Sequence, residues 1–152
     1  MTEAVHNTIY RKDYSPFDYL INSTDLRFEL GEETTIVTSR LELQANYDAR
    51  QASRALVLNG HRFRLLGLTI DGARMEPERY TVTPEQLIIH TVQAAFTLEI
   101  RTALRPQDNT FLEGLYRSEG MFCTQCEAEG FRSITYYPDR PDVLSVFTTT
   151  II

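Results

Sequence analysis

The densest run of residues able to do chemistry is Cys123-Thr124-Gln125-Cys126-Glu127-Ala128-Glu129-Gly130-Phe131-Arg132, preceded by Gly114-Leu115-Tyr116-Arg117-Ser118. If Thr124 to Glu129 is extended, the two-residue period of a strand puts Gln125, Glu127 and Glu129 on one face and Thr124, Cys126 and Ala128 on the other. Two carboxylates and an amide in a row suit recognition of a cation. The same row also describes the solvated outer face of a sheet, and the pattern alone does not choose between the two.

Cys123 and Cys126 have the spacing of half a zinc site or of a redox pair. Zinc takes four ligands, and no second Cys-x-x-Cys is present. His6, His61 and His90 are isolated, with no partner at i+3 or i+4, and none begins an H-E-x-x-H motif. On an extended strand residues three apart face opposite ways, which disfavours a local disulfide. With no base near either cysteine and no G-x-S-x-G elbow, the cysteines are expected to pack. No complete catalytic apparatus is present, and no metal ligands are assigned.

Around this run must stand a domain able to position it. The 152 residues, 42% hydrophobic with 8 Tyr and 8 Phe, suffice for one core. A net charge of −6, with a single Lys and scattered Arg, argues against a nucleic-acid partner. No stretch approaches the roughly 20 apolar residues of a membrane span. The start, Met1 to Tyr19, lacks the apolar centre of a signal peptide, so a cytoplasmic protein without membrane partners is expected.

Periodicity favours strands. Residues 26–30 and 35–43 alternate about the acidic turn Gly31-Glu32-Glu33, as in a hairpin. Further candidates are 55–58, 63–70, 80–82, 86–91 and 95–103. Asn59-Gly60 and Asp71-Gly72 are expected to supply the positive φ angles of tight turns. Strands at such intervals predict an all-β, mostly antiparallel sandwich or barrel with at most short helical turns. One such turn is expected after Pro141, capped by Asp139 or Asp142, with Val143, Leu144, Val146 and Phe147 buried. The β-branched run Phe147 to Ile152 reads as a strand, and its abrupt end as that of a segment of something longer.

The run Thr124-Gln125-Cys126-Glu127, with Arg132 five residues after the Glu and Asp139-Arg140-Pro141 beyond, resembles the amino-terminal domain of the aminopeptidase N family. Gly114-Leu115-Tyr116-Arg117-Ser118 is similar to the element preceding that motif. Thr135-Tyr136 in place of Phe-Pro, and Phe131 before the Arg, depart from the wider family and resemble its bacterial alanyl aminopeptidase branch. Tyr10-Arg11-Lys12-Asp13-Tyr14 and Leu58-Asn59-Gly60 are similar to that branch as well.

The resemblance implies a saddle-shaped β-sandwich over 1–152, the amino-terminal domain of a zinc metalloaminopeptidase, cut before the catalytic zinc domain it packs on. Glu127 would bind the α-amino group of the peptide amino terminus, and Gln125 would line the pocket of the first side chain. Zinc would belong to the full-length enzyme, with no part of it bound here. Glu127 would position the substrate and is not assigned as general base. Two further readings remain: a stand-alone interaction module whose acidic row binds an amino-bearing partner, and a non-peptidase scaffold domain.

Overall fold

The computed structural model describes residues 10–46 and 55–152. His6, Arg50 and Arg54 lie outside them. Eleven strands form, in chain order β1 (Tyr19–Glu29), β2 (Thr35–Ala45), β3 (Leu56–Asn59), β4 (Arg64–Ile70), β5 (Ala73–Arg74), β6 (Tyr80–Val82), β7 (Gln86–Ile89), β8 (Ala95–Leu104), β9 (Gly114–Ser118), β10 (Met121–Gln125) and β11 (Val146–Ile151). Four single 3₁₀ turns are the helical content of the described residues. Among them no helix is long and apolar enough to cross a membrane.

Six strands make one sheet in the order β11-β1-β2-β8-β4-β5, while β3-β7-β6 make a second and β9-β10 a hairpin. The two larger sheets enclose one core. Tyr19, Ile21, Leu41, Leu43, Leu68, Phe96, Leu98 and Ile100 from the first meet Leu56, Leu58, Leu87 and Ile89 from the second. This is the expected sandwich, and every pairing but β1 with β11 is antiparallel. A second core, Leu26, Phe28, Val37, Leu104, Leu115 and Ile134, seats the hairpin over the other end of the large sheet.

The two cores are stitched along one strand by a change of phase. In β1 Tyr19 and Ile21 are buried, then Thr24, Leu26 and Phe28, because the register with β2 slips between Ile21 and Ser23. One extra residue in a strand of period two moves every later side chain to the other parity. The alternation at 26–30 was therefore readable, but not the strand's start at Tyr19.

Turn chemistry divides between two mechanisms. Asp71 and Gly72 both have positive φ and join β4 to β5, as expected, and Glu119 and Gly120 do the same between β9 and β10. Gly60 has no such angle. A Cβ there would lie 2.2 Å from the Tyr136 ring, so glycine is required for close approach and not for a left-handed turn. The helical turn expected after Pro141 is absent. Asp139 is engaged by Arg132 and Asp142 by Arg140, so neither caps a helix. Leu144, Val146 and Phe147 are exposed, the last two on β11, and Val143 is only partly buried.

Candidate substrate-recognition site

The hairpin β9-β10 ends with Gln125 opposite Gly114, and there the extended backbone stops. Residues 127–130 form a turn, followed by a 3₁₀ turn at Phe131–Ser133. The shared face expected for Gln125, Glu127 and Glu129 therefore does not exist as a strand face. The turn closes where the Gly130 N–H donates to the Cys126 carbonyl at 2.9 Å. A Cβ at Gly130 would come within 2.5 Å of the Gln125 carbonyl oxygen, so the chain folds back on the strand end as tightly as glycine allows. The Glu127–Ala128 peptide is cis.

Three acidic and amide side chains leave this turn with different fates. Glu129 pairs with Arg132, Oε2 to Nη1 at 3.2 Å. Gln125 and Glu127 are exposed, and Glu127 has no hydrogen bond or ion pair among the described residues. Where a carboxylate is free at the crest of a well-tied turn, it is available to a cation from outside.

Arg132 does the tying. Its backbone N–H and its Nε both donate to Asp139 Oδ2, at 3.0 and 3.1 Å, and its Nη2 donates to the Asp139 carbonyl at 2.8 Å. Both side chains are largely buried, 18% and 13% exposed. Phe131 stacks edge-on against Tyr137 at 5.0 Å and Phe147 at 5.9 Å, which clamps the same turn against β11. The sequence paired Glu127 with Arg132 by motif but gave no sign that Asp139 is the partner of Arg132.

Cys123 and Cys126 are both free thiols. Burial, with Asp139 nearby, pushes the Cys126 thiol up from its ordinary value, which is the opposite of what a nucleophile needs. It lines a 370 Å³ apolar cavity with Leu26, Phe28, Leu115, Phe122 and Phe131. His90 meets Thr81 Oγ1 at 2.8 Å. His61, isolated along the sequence, has two partners in space, Glu85 at 2.8 Å and Ser133 at 2.9 Å. Their separations of 24 and 72 residues hide the cluster from any local pattern. Among the described residues no group of three His, Cys, Asp or Glu could hold a metal ion, so this part of the chain does not fit a zinc centre.

Residues 18–152 match the Peptidase M1 N-terminal domain family, and the chain belongs to it. It is 44% identical to aminopeptidase N of Caulobacter vibrioides over 139 residues, covering 91% of this chain and 16% of that protein. With aminopeptidase N of Escherichia coli it shares 44% identity over 146 residues, 94% of this chain and 16% of the relative. The structure of Legionella pneumophila aminopeptidase A in complex with aspartic acid superposes with a TM-score of 0.83 at 33% identity, over 92% of this chain and 16% of that one. Native leukotriene A4 hydrolase of Saccharomyces cerevisiae shares the fold, with a TM-score of 0.73 at 20% identity over 95% of this chain and 26% of its own. The chain thus spans about a sixth of the length of the curated relatives it matches.

Proposed function

We propose that this chain serves as the amino-terminal, substrate-recognising domain of a zinc aminopeptidase that releases residues from the amino ends of peptides in the cytoplasm. Its own contribution is selection of the chain end. Glu127 receives the substrate's α-ammonium group, and Gln125 forms part of the wall around the first side chain. The observation that carries this reading is an exposed carboxylate, unpartnered among the described residues, on a turn closed by the Gly130–Cys126 bond and braced by the Arg132–Asp139 pair.

An aminopeptidase must tell a chain end from an internal peptide bond, and the difference is one ammonium group. A fixed carboxylate pairs with it by charge-assisted hydrogen bonds. Held in that way, the first carbonyl has a defined place relative to the groups that cleave it. Those groups, zinc included, are assigned to a catalytic domain outside these residues. The relatives support the assignment: two are aminopeptidases N, and a mutant of a Deinococcus radiodurans M1 zinc metallopeptidase, alike in fold, was solved with a Tyr-Ser-Ala substrate.

The test is Glu127→Ala in the full-length enzyme. Its kcat/KM on aminoacyl substrates should fall by roughly two orders of magnitude or more, since stranding one member of an enclosed ion pair costs about 3–5 kcal/mol. Unchanged kinetics would remove Glu127 from the site.

A further inference from the structure

We infer that His61 is a positioning residue for the Glu127 carboxylate, an inference that rests on Glu127 being the amine-binding group. The imidazole spans two segments that hold the recognition turn from below. Its Nδ1 lies 2.8 Å from Glu85 Oε2, and a carboxylate oxygen only accepts, so Nδ1 carries the hydrogen. Nε2 then meets Ser133 Oγ at 2.9 Å. A neutral ring accepts from that hydroxyl and an imidazolium donates to it, so the contact holds in either state. Glu85 records the bond, its carboxyl held below the usual range first of all by the hydrogen bond from His61.

From this ring a short series of hydrogen bonds runs to the turn. The His61 backbone N–H donates to the Arg132 carbonyl at 3.0 Å, so a single residue grips two consecutive members of the 3₁₀ turn. The Ser133 N–H donates to the Gly130 carbonyl at 3.0 Å, and the Gly130 N–H to the Cys126 carbonyl at 2.9 Å, closing the loop on which Glu127 stands. The other end of the series is fixed as well. Asn59 exchanges backbone bonds with Tyr137, the Gly60 N–H donates to the Glu85 carbonyl at 3.0 Å, and Gly60 lies against the Tyr136 ring.

Ser133, His61 and Glu85 have the order of a nucleophile relay, but the surroundings do not supply its other half. Ser133 is 6% exposed. Its N–H is engaged by the Gly130 carbonyl and that of Ile134 by the Phe131 carbonyl, so neither of these two adjacent donors is free to receive an oxyanion beside Oγ. What the row does is transmit rigidity. Without the imidazole, a buried hydroxyl loses its partner and the turn keeps only its backbone tie to the segment after β3.

A double-mutant cycle in the full-length enzyme tests this. His61→Ala should lower kcat/KM roughly ten- to a hundredfold, the scale of a reacting group displaced by about an ångström. In a Glu127→Ala background the same change should alter it less than about twofold. His61→Gln, whose amide reaches Ser133, should restore most of the activity. Ser133→Ala should behave as His61→Ala does and keeps the test decisive if the latter unfolds at the assay temperature, which circular dichroism would show. Equal losses in both backgrounds, or none in either, would overturn the inference while leaving the Glu127 reading intact. A Glu127→Ala enzyme with normal kcat/KM would instead defeat that reading, and this one with it.

Discussion

Around the turn, neighbouring carboxylates differ in worth because they differ in enclosure. Glu129 meets Arg132 with its side chain 68% exposed, and a pair so open to water contributes about 0–1 kcal/mol. Asp139 meets the same guanidinium 13% exposed and accepts two hydrogen bonds from it and one from the Arg132 backbone N–H, so losing its charge leaves a largely buried cation with only the open Glu129 as counter-charge. Glu129→Gln should therefore leave both melting temperature and activity close to wild type. Asp139→Asn should cost about 3–5 kcal/mol and lower the melting temperature by several degrees. Thermal denaturation of the two variants side by side checks this, and a Glu129→Gln protein as unstable as Asp139→Asn would reverse the ranking. Glu127 itself was legible only through its motif. Nothing in spacing distinguishes the free carboxylate at 127 from the paired one at 129, because the distinction is made by Arg132 folding back.

Elements were legible where one residue pattern decides them and obscure where two segments must meet. Strands β2 and β8 could be read almost to their ends, since one face of each is buried and the period is two, and β4 from the Asp71-Gly72 turn that closes it. The hairpin β9-β10 was not read as one, because its residues are mixed in polarity and its turn is Glu119-Gly120, not the Asn-Gly or Asp-Gly pair that marks hairpins most strongly. The helical turn expected after Pro141 failed for a similar reason. Its apolar residues serve an edge strand and the aromatic contact of Phe147 with Phe131 and Tyr137. Gly60 shows the limit most clearly: its demand comes from a tyrosine 76 positions away. Gly60→Ala drives a methyl into that ring, and the expected penalty is about 1–3 kcal/mol, read as a lower melting temperature. An unchanged melting temperature would mean that Tyr136 moves aside at no cost.

At the scale of the whole molecule, stability should depend on alkaline pH in a direction set by what is buried. Burial raises the Cys126 thiol above its ordinary value of 9.0 and the Tyr136 phenol above 10.0. The unfolded chain releases these protons first as pH rises, so it binds fewer protons than the native state and stability falls. Their contribution is complete below about pH 9 and is lost as pH climbs through the raised folded values. Melting temperatures measured from pH 8 to 11 should decline, with the first part of the decline smaller in Cys126→Ala. A flat profile would contradict the burial of both groups.

The parallel pairing of β11 with β1 sets an order of events on the ribosome. β1 and β2 emerge together and can zip as a hairpin, but the outer flank of β1 must wait for nearly the whole chain before its partner is made. Through that interval Phe131 and Tyr137, once exposed, have no Phe147 to lean on. Nascent chains stalled short of Val146 should therefore be captured by chaperones that bind open sheet flanks, and those in which an added linker carries Ile152 clear of the ribosome should escape them.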